Sequence, residues 1–184
     1  MTEEKVALTP EGEVKFERWQ KHRIFVRELS GKYGEIYRQL LDQPRVYSSK
    51  AKKFKEGPAR FSKGLISPSH AKVAQSIETH IDVIGPGTYG QKHGHMNGAV
   101  FFILNGKGYD VHDKVRYDWE AGDACIVENA CVHRHYNADP ESEARVLVIK
   151  AKPLYLFFHL LFQKVVEYPP EKATPGFEDW KPEE

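Results

Sequence analysis

Residues 90–106 read Gly90-Gln91-Lys92-His93-Gly94-His95-Met96-Asn97-Gly98-Ala99-Val100-Phe101-Phe102-Ile103-Leu104-Asn105-Gly106, and this stretch decides the fold. It begins with two histidines one residue apart, runs into an apolar β-type segment and stops at Asn-Gly, a turn dipeptide. Side chains alternate faces along a strand. His93 and His95 therefore point the same way, as do Asn97, Ala99, Phe101 and Ile103 if the strand runs on. A second pattern of the same kind, His133-Arg134-His135-Tyr136-Asn137, occurs later in the chain, and there parity puts Cys131, His133 and His135 on one face.

Around these stretches lie further short β-rich runs: Ile77 to Ile84, Tyr109 to His112, Val115 to Trp119, Ala124 to Val127 and Arg145 to Lys150. Pro86-Gly87, Ala121-Gly122-Asp123 and Asp139-Pro140 separate them. Short strands at such spacing predict a mainly β sandwich or barrel. On the N-terminal side, Thr9-Pro10-Glu11 has the form of a helix start. Apolar residues at spacings of three and four from Val14 to Leu40 predict two short helices, with Gly31 and Gly34 breaking the run. Residues 44–70 are rich in proline, glycine and lysine and predict an irregular arm, and the basic run over 50–63 reads as solvated surface. The apolar run Pro153 to Val166 predicts a buried helix or a subunit contact, and Tyr168 to Glu184 a loosely attached tail. The expected organisation is an N-terminal extension over 1–75, a barrel over 76–152, and a C-terminal helix and tail over 153–184.

The 184 residues carry 27 Lys and Arg against 26 Asp and Glu, a balance that gives no electrostatic footprint for nucleic acid. The run from Pro153 is too short to cross a bilayer, so no membrane partner is expected either. Cys125 and Cys131 make no disulfide framework, and Met1 to Lys5 show no secretory pattern. Both point to a reducing, cytoplasmic setting.

The paired histidine patterns carry the chemistry. Imidazoles converging in a barrel interior are an unusual use of polar residues in a core, and they make a metal site for Fe, Zn, Mn, Ni, Cu or Co rather than for hard Mg or Ca. His22, His70, His80, His112 and His159 are read as ordinary surface or core histidines.

Gly90-x-x-His93-x-His95 with Ala99 and Gly106, then Gly122-Asp123 and His133-x-x-x-Asn137, resembles the two motifs of the cupin superfamily. The likeness covers about the middle third of the chain. It implies a jelly-roll barrel, the double-stranded β-helix, to which the flanking sequence patterns add an N-terminal helical extension and a C-terminal helix. Many metal-binding cupins carry a glutamate ligand where Ala99 stands. The branch similar to gentisate 1,2-dioxygenase has alanine there, a three-histidine iron site and an H-x-H-x-N second motif. This resemblance implies His93, His95 and His133 as ligands, Fe(II) as the metal, and His135 as a catalytic group beside bound substrate. Members of that branch place an arginine for the substrate carboxylate where Phe101 stands, and Glu128 replaces a proline common in the second motif.

A site of three neutral imidazoles leaves the charge of the metal uncompensated by protein and so favours a small anionic substrate, such as an aromatic hydroxy acid. The leading expectation is a non-haem Fe(II) dioxygenase that also takes dioxygen. A lyase, decarboxylase or isomerase using the metal as Lewis acid, and a non-catalytic ligand-binding barrel, are the alternatives. An exposed sheet edge and the N-terminal segment predict a homodimer.

Overall fold

Ala99–Asn105 shows how the sequence builds its sheets. Phe101 and Ile103 are buried while Val100, Phe102 and Leu104, the residues between and beyond them, face out, so the strand has one core side. The next strand begins directly after Gly106, whose φ of +88° gives the left-handed corner that the Asn-Gly turn needs. A Cβ at this position would lie 2.8 Å from the Ala144 Cα, so the turn also requires the missing side chain for close approach.

A computed structural model describes Arg38 and residues 40–184, apart from the side chain of Glu56. The chain divides into two compact units between residues 43 and 44, and the sheets belong to the second, Pro44–Glu184. The helices expected from Val14 onward fall outside the described residues, save that Arg38, Leu40 and Leu41 are helical.

Among the described residues, eleven strands form two antiparallel sheets. In chain order they are β1 (Lys55–Glu56), β2 (Arg60–Ile66), β3 (Glu78–Ile84), β4 (Lys92–His95), β5 (Ala99–Asn105), β6 (Lys107–His112), β7 (Val115–Glu120), β8 (Ala124–Val127), β9 (Val132–Asn137), β10 (Ala144–Lys150) and β11 (Gln163–Glu167). The first sheet has the order β1-β2-β3-β10-β5-β8 and the second β11-β4-β9-β6-β7. Between the sheets Phe101, Ile103, Trp119, Val127, Val146 and Val148 form the apolar core. This is the mainly β sandwich that the turn spacing predicts, in the jelly-roll form that the resemblance implies.

Three local expectations are corrected. The stretch 44–70 is not an irregular arm throughout, because β2 pairs with β3 from Arg60↔Ile84 to Ile66↔Thr79. The basic run inside it is not all solvated surface. Lys63 is 2% exposed, its ammonium 3.3 Å from Glu184 Oε2 and 4.1 Å from the Phe54 ring centroid. The run 153–166 is not one buried helix: helix α1 covers only Lys152–Phe157, with Pro153 its buried residue, and its end is followed by His159 at a φ of +58°. Leu156, Phe157, Phe158 and Phe162 are exposed, and the chain then pairs β11 with the open edge of β4. Apolar residues at nearly every position give no helical face to favour, so pairing with an unfilled sheet edge decides the conformation.

Candidate metal centre

The strands β4 and β9 are neighbours, with His93 opposite His133 in the ladder. Cross-strand partners and residues two apart share a face, so the pairing gathers His93, His95 and His133 at one point. Their ring centroids lie 4.4 Å (His93–His133), 4.8 Å (His95–His133) and 5.4 Å (His93–His95) apart, and one nitrogen from each lies within 4.8 Å of the others.

The hydrogen bonds select the tautomers. His93 Nδ1 donates to the Gln91 carbonyl (3.3 Å), His95 Nδ1 to the Asn97 carbonyl (2.7 Å) and His133 Nδ1 to the Cys131 carbonyl (3.4 Å). Each partner lies two residues along the chain, and each bond leaves Nε2 with its lone pair. Charge works in the same direction. Burial, with the neighbouring imidazoles, lowers His133 from the ordinary value to about 2, and burial lowers His93 to about 4. His95 is lowered as well, again chiefly by burial. The cluster therefore consists of neutral imidazoles, the form that binds a metal. In donor type, tautomer and protonation, the three residues fit such an ion.

These rings line a cavity of about 270 Å³. Ala99 is in its wall, so β5 adds a methyl group there and no carboxylate. His135, two residues beyond His133, stacks on Phe101 with ring centroids 3.9 Å apart and donates from Nδ1 to Asp110 Oδ1 at 2.7 Å. Asp110 is 0% exposed. Burial opposes its ionisation, but His135, His112 and Trp119 outweigh that and hold the carboxylate well below the usual range. An anchored carboxylate of this kind fixes the ring of His135 and leaves its Nε2 for the cavity.

Sequence reasoning missed the opposite wall. Arg60 from β2, and His80 and Asp82 from β3, line the same cavity. Asp82 Oδ2 accepts from Arg60 at 2.6 Å and lies 3.3 Å from His80 Nε2, while Asp82 Oδ1 is buried with no hydrogen-bond partner among the described residues. Burial disfavours the charge on Asp82, yet Arg60 and His80 more than offset it and keep the group ionised far below the ordinary carboxylate range. The signal available was parity: His80 and Asp82 are two apart on one strand, as His93 and His95 are. Besides Arg60, the cavity is lined by Lys150, Lys152 and Lys164, against Asp82 as the one acidic residue among those described.

Residues 80–150 match the cupin domain family. The barrel has the cupin fold. Among solved structures its fold resembles salicylate 1,2-dioxygenase from Pseudoaminobacter salicylatoxidans, in adducts with gentisate, with a TM-score of 0.55 and 14% identity over 64% of this chain and 31% of that one. An arginine-to-alanine variant of Bacillus subtilis oxalate decarboxylase gives a TM-score of 0.58 and 17% identity, covering 68% of this chain and 33% of that one. The match thus spans about a third of the length of either protein. No curated protein matches the sequence. Among the described residues no helix is long and apolar enough to cross a membrane.

Proposed function

We propose that this cupin is a metal-dependent enzyme, a non-haem Fe(II) dioxygenase acting on a small anionic substrate of the aromatic hydroxy-acid type. The observation that carries the reading is the convergence of three neutral imidazoles, each with Nε2 released, on a cavity whose wall presents Ala99 where a carboxylate ligand would otherwise stand. His93, His95 and His133 are the ligands, and His135 is the catalytic group. When bound, the ion would supply Lewis acidity and redox capacity toward substrate and dioxygen.

The remaining tasks fall to the chain itself. Arg60, Lys150, Lys152 and Lys164 make the cavity attractive to an anion. Asp82 Oδ1, buried and without a partner among the described residues, accepts a substrate hydroxyl, which removes the cost of leaving that oxygen unsatisfied. Phe101 offers a flat apolar wall, backed by His135. His135 Nε2 exchanges a proton with substrate while Asp110 holds the ring in place through Nδ1. A volume of about 270 Å³ suits one small ring with its substituents.

A second reading is a lyase, decarboxylase or isomerase, and the buried His135–Asp110 pair favours it, since proton shuttling is all such a reaction asks beyond a Lewis acid. The deciding experiment is metal content after purification without oxygen, followed by oxygen uptake on adding dihydroxyaromatic and salicylate-like acids to iron-loaded protein. Iron near one per chain at the three histidines with substrate-dependent uptake is expected. Bound metal without uptake across the panel transfers the assignment to the lyase class, and a protein that takes up no metal at all is a ligand-binding barrel. In solution the enzyme is proposed to be a cytoplasmic homodimer.

A further inference from the structure

Away from the three histidines, a second group of donor atoms meets where the two sheets run out. Strand β8 is the last of the first sheet and β7 the last of the second, and between them a groove is lined by His112, Tyr117, Trp119, Cys125, Ile126 and Glu128. Behind this lining Asp110, itself 0% exposed, has its Oδ2 3.4 Å from His112 Nε2 and 3.4 Å from Cys125 Sγ.

We propose that Asp110, His112 and Cys125 bind a second divalent cation of the zinc type, with Glu128 holding His112 from behind. This site uses different residues from the three-histidine centre and does not rest on that reading. One carboxylate oxygen, one imidazole nitrogen and one sulfur are a borderline-soft donor set, suited to zinc and poorly suited to magnesium or calcium. A tetrahedral ion with ordinary zinc bond lengths separates neighbouring donors by about 3.4 Å. The two measured separations have that value, and all three donors lie within 4.8 Å of one another.

The orientation of His112 supports the assignment. Its Nδ1 donates to Glu128 Oε2 at 2.7 Å, and its Nε2 faces the carboxylate oxygen of Asp110 across 3.4 Å, donating to it while the ring is protonated and free to take a cation once that proton leaves. Two acceptors facing each other call for a cation or a proton between them, and a carboxylate behind a histidine is the usual support of a metal-bound imidazole. Without metal, burial and the nearby Asp110 carboxylate push the Cys125 thiol up to about 12, so it remains protonated and donates to Asp110. Cation binding reverses that electrostatic balance, and the thiol proton leaves to solvent through the groove. The ion would join β6 to β8 across an edge where no strand pairing links the two sheets among the described residues.

Cobalt(II) added to the metal-free full chain tests the site. The expected result is a second equivalent of bound cobalt with a near-ultraviolet thiolate-to-cobalt charge-transfer band, which an imidazole-only site does not produce. The band should persist in His93→Ala and His133→Ala, should vanish in Cys125→Ser together with one cobalt per chain, and should survive Cys131→Ser. Absence of the band in the cobalt-saturated natural sequence overturns the proposal without reliance on any variant. A band that survives Cys125→Ser, or that Cys131→Ser removes instead, overturns it equally.

Discussion

His133 is 1% exposed and touches both other imidazoles of its cluster, so at the scale of single residues it has the most to lose from substitution. His133→Ala or His93→Ala should remove metal from the three-histidine site while the barrel stays folded, measured as loss of one iron per chain with an unchanged far-ultraviolet dichroism spectrum. His135→Ala should instead lower turnover by about 10²–10⁴-fold with iron retained, because its ring touches the cavity and takes its orientation from Asp110. Retained iron in the first pair, or lost iron in the second, would exchange their roles. Acid provides a separate check. In metal-free protein His93 and His133 titrate at about 4 and 2, below the ordinary value near 6.5 of an unfolded chain. The unfolded chain then binds more protons between about pH 6.5 and 4 for His93, and down to about 2 for His133, so these groups favour the fold above those windows and their contribution falls as pH drops through them. His112, raised chiefly by its hydrogen bond to Asp110, acts in the opposite sense: its contribution is complete at low pH and is lost as pH rises through its raised value. Three lowered histidines against one raised predict a net fall in melting temperature of the metal-free protein from pH 7 to 5, and a flat or rising profile would contradict the burial argument.

Elements obey a simpler rule, in which the face of each strand decides the cost of changing it. Ile103 on β5 is 1% exposed within the core between the sheets, so Ile103→Ala should destabilise by about 2–5 kcal/mol in urea unfolding, while Phe102→Ala on the outer face should cost far less. Gly106→Ala forces a Cβ into a left-handed turn and against Ala144, and it should cost more than about 1 kcal/mol. The same faces explain which elements are legible in the sequence. Strands with strict alternation and Gly-bearing turns, such as β5 and its Asn105-Gly106 corner, can be read directly, and parity alone brings His93 and His95 together. Partners across the sheet cannot: nothing local says that β9 lies beside β4 or that Arg60 reaches the cavity from β2. Asp110 escapes notice because a lone aspartate in a strand has no pattern, and its meaning comes only from the four groups that surround it, His112, Trp119, Cys125 and His135. The C-terminal segment misleads for another reason, since a run apolar at nearly every position carries neither period, and only the free edge of β4 makes it a strand.

For the whole molecule, the outer face of the first sheet is where apolar surface stands exposed. Ile149, Val100 and Ile126 stand in one register across the adjacent strands β10, β5 and β8, all facing out, with Ile126 71% exposed. Phe102 and Leu104 extend the row along β5, and Phe157 at the end of α1 is 75% exposed. A contiguous apolar row of this kind on one face is what soluble monomers avoid and what self-complementary dimers bury. Because the strands are antiparallel, a second copy turned by half a revolution can lay the same residues against themselves, and each chain keeps its cavity, which lies on the inner faces. Sedimentation should therefore give a dimer for the natural sequence. The double variant Val100→Lys and Ile126→Lys should give a monomer that retains one iron at the three histidines, because both side chains point away from that site. A natural sequence that sediments as a monomer at working concentrations would refute the dimer, and a double variant that remains dimeric would place the contact elsewhere on the chain.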